Sequence, residues 1–349
     1  MDDQTLLRET AARLCRWFEA NGRPLPWREE PKPYRVWVSE IMLQQTRIEA
    51  VRGYFERFMA AFPTVEALAE AEEERVLKLW EGLGYYSRAR NLKKAAERVV
   101  SEYGGQLPRT AAELRRLPGV GDYTAGAIAS IACGEPEPAV DGNVLRVLSR
   151  LLADGRDVLQ PAVRRAFTEA LRAVYPAGRE AGLLTQGLME LGETVCLPST
   201  QPLCEGCPLA DLCRGRAEGA PERYPLRSPK KPRRVEERTV LLLSAGGLWA
   251  VAKRPDTGLL AGLWEFPALA GHGEEAALRL FLAEQGGEVL SLAPCGEAKH
   301  VFTHVEWRMQ GWQAELAAPC GPWRWETAET ILRDLALPSA FRKYKELLV

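Results

Sequence analysis

Cys196, Cys204, Cys207 and Cys213 fall within 18 residues, in Leu-Gly-Glu-Thr-Val-Cys-(x7)-Cys-Glu-Gly-Cys-(x5)-Cys. Four thiols at that spacing read as the ligands of one metal site, zinc or iron–sulfur. Any fold of this chain must therefore wrap a helix end and the loop after it around a common centre. Cys15, Cys133, Cys295 and Cys320 are scattered and read as small buried or surface thiols. The N-terminus, Met-Asp-Asp-Gln-Thr, lacks the basic and apolar regions of an export signal. Clustered thiols without such a signal predict a reducing cytoplasm, with the nucleoid as the address in a bacterium. No apolar run reaches the ~18–20 residues of a membrane span.

The 349 residues, 46% of them hydrophobic, suffice for about two domains. Through 5–213 the apolar residues recur at i, i+3 and i+4. That spacing predicts helices over 5–18, 36–51, 65–72, 73–80, 88–102, 111–117, 123–132, 144–152, 161–174 and 181–196. The character changes near Arg214. Prolines and like charges, including Arg227, Lys230, Lys231, Arg233 and Arg234, read as an extended linker or a strap that tracks phosphates. Beyond it, Thr239-Val-Leu-Leu-Leu-Ser, Ala-Gly-Gly and Leu248-Trp-Ala-Val-Ala-Lys predict a β-hairpin. A helix over 274–285, strands near 298–305 and 309–315, and helices through 326–347 complete the reading. The expected organisation is an all-α domain over 1–216, a linker over 217–237, and an α+β domain over 238–349. The net charge of −1 offers no global basic field, so nucleic-acid binding would depend on local patches.

Three segments carry chemistry. Leu117-Pro-Gly119-Val-Gly121 joins two short helices by a two-glycine hairpin. Its glycines supply unusual backbone angles, and its amides can meet a phosphate at the start of the next helix. Asp141, in Ala-Val-Asp-Gly-Asn-Val, reads as a helix N-cap, as an ionised carboxylate opposite a reacting sugar, or as both. Amides at the helix start would keep it deprotonated. Glu40 borders an apolar stripe of Trp37, Ile41 and Ile48. Half-buried there, its carboxyl would have a raised pKa and could donate a proton near neutrality. One neutral and one charged carboxyl divide the labour as glycosidic cleavage requires.

These residues resemble the adenine DNA glycosylase (MutY) family. The likeness lies in Leu25-Pro-Trp-Arg28, Val36-Trp-Val-Ser-Glu-Ile-Met-Leu-Gln-Gln-Thr46 and Gly82-Leu-Gly-Tyr-Tyr-Ser-Arg-Ala-Arg-Asn-Leu92. It continues in the hairpin, Val-Asp-Gly-Asn and the four cysteines. It spans roughly 5–215 and extends more weakly to the C-terminus. The resemblance implies a helix-hairpin-helix glycosylase fold with a [4Fe–4S] loop, followed by a Nudix-like domain. It implies a monomer that excises adenine from A:8-oxoguanine or A:G mispairs in double-stranded DNA after flipping the nucleotide out. Glu40 would protonate the base. Asp141 would stabilise the oxocarbenium-like sugar, by charge or by a transient bond. Tyr123 and Asn143 would hold these groups. Trp27, Arg28, Leu43, Ile48 and Gln186 resemble the lining of the adenine pocket. Gln45 and Tyr85 resemble residues that wedge into the duplex, with Thr46 beside them. Leu117, Gly119 and Gly121 would contact the DNA backbone, and hairpin carbonyls could hold an alkali-metal ion.

In the related endonuclease III family a lysine stands where this chain has Tyr123, and attacks the sugar as an imine-forming nucleophile. A phenol forms no imine, so the expectation is a monofunctional glycosylase. Seven residues rather than the family's six separate Cys196 from Cys204. In the C-terminal region, Arg254-Pro-x4-Leu-Ala-Gly-Leu-Trp-Glu-Phe-Pro267 and His300-Val-Phe-Thr-His304 resemble the family's lesion-reading domain. Phe302, Thr303 and His304 occupy its usual Phe-Ser-His loop, with threonine in place of serine. The Nudix hydrolase box is missing, which argues for binding without nucleotide hydrolysis. The competing readings are an endonuclease III-like lyase, a non-catalytic iron–sulfur DNA-binding module, and a pyrophosphohydrolase. Tyr123, the Glu40–Asp141 pair and the missing box argue against them in turn.

Overall fold

The computed structural model describes residues 1–198, 201–229 and 232–348. Ser199 and Thr200 of the cysteine spacer, Lys230 and Lys231 of the basic run, and Val349 lie outside the described residues. Contacts gather the chain into two compact units. One comprises Met1–Glu70 and Asn91–Pro229, the other Ala71–Arg90 and Lys230–Val349.

The first unit is helical. Helix α1 (Asp3–Asn21) opens with Asp2 as N-cap, accepting from the Thr5 amide at 2.9 Å. Proline begins α2 (Pro26–Glu29) and α3 (Pro33–Leu43), where the missing N–H costs nothing. The periodicity predicts one helix over 36–51; the structure breaks it. The chain turns after Leu43, with Gln45 in the left-handed region at φ 58°, and restarts as α4 (Ile48–Ala61). Apolar spacing alone does not register a turn that leaves the pattern in phase. Helix α5 (Val65–Glu70) follows. The core joins Leu6, Leu14, Val144, Leu148, Phe167, Leu184, Leu188 and Leu191. These come from α1, α10 (Gly142–Leu152), α11 (Pro161–Arg172) and α12 (Arg179–Thr194). The hairpin joins α8 (Ala111–Leu114) to α9 (Asp122–Cys133). Gly119 takes φ 75°, whereas Gly121 is extended at φ −92° and serves as N-cap of α9. Only one of the two glycines is there for its backbone angle.

The segment read as an extended linker is partly folded. Arg150 Nε donates to the carbonyls of Pro221 and Tyr224, each at 3.0 Å. The Val158 amide donates to Leu226. These buried donors fix residues that composition alone would leave loose. Strand β1 then begins at Arg234, inside the predicted linker.

The second unit is a mixed sheet with helices on both faces. Its strands are β1 (Arg234–Ala245), β2 (Leu248–Lys253), β3 (Trp264–Glu265), β4 (Ala268–Ala270), β5 (Val289–Val301), β6 (Val305–Leu316) and β7 (Arg324–Thr327). Their order is β3-β2-β1-β6-β5, with β4 on β1 and β7 on β2. Strand β1 runs parallel to β6 and forms the expected hairpin with β2. Val240 and Leu242 face one core with Trp307, Phe266, Phe341 and Tyr344; Leu241 and Leu243 face the other with Leu278, Leu282 and Trp312. Burial on both faces explains the unbroken apolar run. Helix α14 (Glu275–Glu284) matches its expected span, and β5 (Val289–Val301) is longer than the patterning suggests. Residues 324–327 form β7, and the helices after them are short. Among the described residues no helix is long and apolar enough to cross a membrane.

Candidate active site

A cavity of about 360 Å³ opens in the helical unit. Four segments supply its wall: the α1–α2 region, α3 with the turn after it, α9 with the start of α10, and α12. The break after Leu43 makes Gln45, Thr46 and Ile48 part of that wall, along with Leu43. Trp27 and Arg28 come from α2, and Gln186 from α12.

Glu40 lies on the inward face of α3 and is 5% exposed. Burial pushes its carboxyl up to about 7. A hydrogen bond from Tyr123 and the charge of Arg28 work against that rise, and Asp141 adds to it. The Tyr123 hydroxyl donates to Glu40 Oε2 at 2.6 Å. Burial, then the charge of Glu40, hold the phenol well above its ordinary range, so it is the donor.

Asp141 caps α10, taking the Val144 amide on Oδ1 at 2.8 Å and Asn143 Nδ2 on Oδ2 at 3.1 Å. Burial raises its carboxyl, against the Val144 and Asn143 amides and the charge of Arg146. The helix-start amides do favour the charged form, as expected, and desolvation is the larger influence opposing them. Asn143 also reaches Glu193 Oε1 at 2.9 Å and accepts from Arg146 Nη2 at 2.8 Å. The site thus holds two carboxyls, both raised, each gripped by a different polar partner. Glu40 is the group poised near neutrality.

Sequence reasoning missed a third buried carboxylate. Glu190 is 1% exposed, accepts from Arg23 Nε at 2.5 Å and Arg28 Nη2 at 2.8 Å, and lines the cavity. Burial would raise it, but the two arginines hold it below its ordinary value. The signal was present: Gln186, Met189, Glu190 and Glu193 follow i, i+3, i+4, i+7 spacing, and all four line the cavity.

The remaining predicted residues lie elsewhere. Leu117 is buried in the hairpin. Tyr85 and the loop of Phe302, Thr303 and His304 both belong to the second unit. There the Tyr85 and Thr303 hydroxyls share a hydrogen bond of 2.6 Å. Phe302 packs edge-on against Trp307 with ring centroids 4.9 Å apart, while Thr303 and His304 are exposed.

Cys196, Cys204, Cys207 and Cys213 line one cavity at the end of α12. Among the described residues no three histidine, cysteine or acidic side chains are drawn in to single-ion spacing. The shared cavity gathers the thiols, and two α10 arginines meet Cys196. Arg150 Nη1 donates to Cys196 Sγ at 3.1 Å, and Arg146 Nε to the Cys196 carbonyl at 2.8 Å. Arginine donors beside thiols suit sulfurs that carry negative charge.

A two-glycine hairpin feeding a cavity with a buried acid defines a helix-hairpin-helix base-excision protein. Residues 38–173 match the HhH-GPD superfamily base excision DNA repair proteins, and 238–347 match the NUDIX domain. The chain is 36% identical to the adenine DNA glycosylase of Rattus norvegicus, covering 95% of this chain and 77% of that one. It is 37% identical to the adenine DNA glycosylase of Homo sapiens, over 95% and 73%. The chain belongs to the adenine DNA glycosylase family, whose members are N-glycosylases of base excision repair. Among solved structures, a thermostable thymine-DNA glycosylase superposes with TM-score 0.56 at 26% identity, covering 62% of this chain and all of that one. A non-covalent endonuclease III–DNA complex gives TM-score 0.52 at 25% identity, covering 63% and 99%.

Proposed function

We propose that this protein flips adenine out of A:8-oxoguanine and A:G mispairs in duplex DNA and hydrolyses its glycosidic bond. The observation that carries this reading is one cavity shared by Glu40, a buried carboxyl poised at about 7, and Asp141, an N-cap carboxyl held by amides. Tyr123 occupies Oε2 of Glu40, which leaves Oε1 to carry the acid proton. Glu40 delivers that proton to a ring nitrogen of the extruded base. The C1′–N9 bond then breaks, its electron pair leaving with neutral adenine. Asp141 faces the cationic sugar and stabilises it by charge or by a transient ester. Water adds to C1′, and its surplus proton returns to Glu40. Trp27, Arg28, Leu43, Ile48 and Gln186 enclose the base, with Glu190 behind Arg28. Asn143 orients Asp141.

Tyr123 offers no amine, so strand cleavage through an imine is not part of this reaction. Gln45 and Tyr85 wedge into the duplex with Thr46 contacting DNA beside them, and the hairpin of Leu117, Gly119 and Gly121 meets phosphate; its carbonyls would hold an alkali-metal ion. Phe302, Thr303 and His304 read the 8-oxoguanine. The four cysteines hold a [4Fe–4S] cluster. Four thiolates leave no open coordination position, so the group ties the end of α12 to the loop after it, and no step of excision passes through it.

Duplexes containing A:8-oxoguanine, A:G, A:C and an oxidised pyrimidine test the reading, with alkali to cut abasic sites and borohydride to trap imines. Adenine release from the first two without trapping is expected. No release from A:8-oxoguanine overturns the proposal.

A further inference from the structure

Tyr85 is 45% exposed, on a backbone at φ 47°. A bulky residue seldom holds a left-handed angle unless its surroundings impose it. The same short loop carries Gly82 at φ 103° and Gly84 at φ 72°. Arg88 lies just beyond it, at the start of α7 (Ser87–Tyr103), and is 9% exposed. Its guanidinium carbon stands 5.3 Å from the centroid of the Trp80 ring and 5.6 Å from that of Tyr85. Its Nη2 donates to the carbonyls of Leu83 at 3.2 Å and Gly84 at 3.0 Å. Trp80, fully buried, donates its indole N–H to the same Gly84 carbonyl at 3.1 Å. The Arg88 amide closes on the Tyr85 carbonyl at 2.9 Å. Burial lowers the guanidinium to about 10, so the cation persists at neutral pH.

We propose that Arg88 is a positioning residue for mispair recognition: with Trp80 it clamps residues 82–85 and presents the exposed Tyr85 ring to the duplex in one pose. The inference rests on the reading of Tyr85 as a wedge. A planar guanidinium stacks on rings while donating in its plane to carbonyls, and an ammonium does not reproduce that combination. Lysine at this position is therefore a disruptive change. The guanidinium is buried against the loop carbonyls and not displayed to solvent, so its removal should leave phosphate binding alone.

The test uses the full chain with Arg88→Lys, Arg88→Met and Tyr85→Ala. It compares affinity for an A:8-oxoguanine duplex with affinity for an A:T duplex across a salt series, alongside hydrogen exchange. Both Arg88 variants should cut the affinity ratio by about tenfold, a typical size for one lost recognition contact. Their salt slope should match the wild type, and exchange should quicken only around residues 82–88. Tyr85→Ala should cut the ratio at least as far. Arg88 variants that keep the ratio while Tyr85→Ala loses it overturn the clamp and spare the wedge. Tyr85→Ala that keeps the ratio overturns the wedge, and the clamp with it. A salt slope reduced by about one makes Arg88 a phosphate ligand and overturns the clamp. Exchange that quickens throughout the unit makes it a plain core residue and does the same.

Discussion

At the residue scale, Glu40 decides most. Its carboxyl sits at about 7 in the folded protein against an ordinary 4.5. The folded state therefore binds this proton more tightly than the unfolded chain does. The stability that Glu40 contributes is complete below about pH 4.5 and is lost as pH rises through about 7. Glu40→Gln removes the titration. Relative to wild type it should gain stability across that window, by up to about 3 kcal/mol, in urea melts at about pH 5 and about pH 8. Excision by wild type should decline above about pH 7, and Glu40→Gln should lose at least ~100-fold while still binding mispaired DNA. A single-turnover rate that climbs steadily through that range would remove Glu40 from the acid role. Glu190→Ala should be worse for the fold, at roughly 3 kcal/mol by denaturant unfolding, because it strands Arg23 and Arg28 without their shared carboxylate.

At the element scale, α10 and α12 meet at the site. A Cβ on Gly192 would stand 2.6 Å from the Asn143 Cβ, so glycine is what lets the two helices close. Gly192→Ala should push Asn143 off Asp141 and lower single-turnover excision more than it lowers affinity. Equal losses in both would place the damage outside the site. The cap at Asp141 makes a separate prediction. Asparagine also caps, so Asp141→Asn should cost the fold under about 1 kcal/mol while excision collapses. A melt that falls in step with activity would mean the residue is structural alone. The elements also explain what was legible. Glu40 and Asp141 stood out because each sits in a motif of a few consecutive residues. Glu190 escaped because its meaning depends on Arg23 and Arg28, more than 160 residues away. The turn at Gln45 escaped because its left-handed backbone leaves no mark in apolar spacing.

At the scale of the whole molecule, the proposed function assigns excision to the helical unit and lesion reading to the sheet unit. Purified anaerobically, the chain should carry about four irons and four sulfides, as a [4Fe–4S] group requires. Cys204→Ser should lower that content and the melting temperature of the helical unit, with the sheet unit unmoved. One zinc per chain by elemental analysis would replace the cluster with a single ion. The amino-acid sequence alone determined the class of fold, because helical and alternating periodicities are local properties of the chain. It also determined the chemistry on offer, because Glu40, Tyr123, Asp141 and the four cysteines are named by their neighbours in sequence. Only the tertiary structure decided how that chemistry is tuned. Burial lifts Glu40 toward neutrality, paired arginines keep Glu190 charged, and a buried guanidinium braces the loop of Tyr85. Each depends on desolvation and on partners distant along the chain or set by loop geometry, and neither is written in the order of residues.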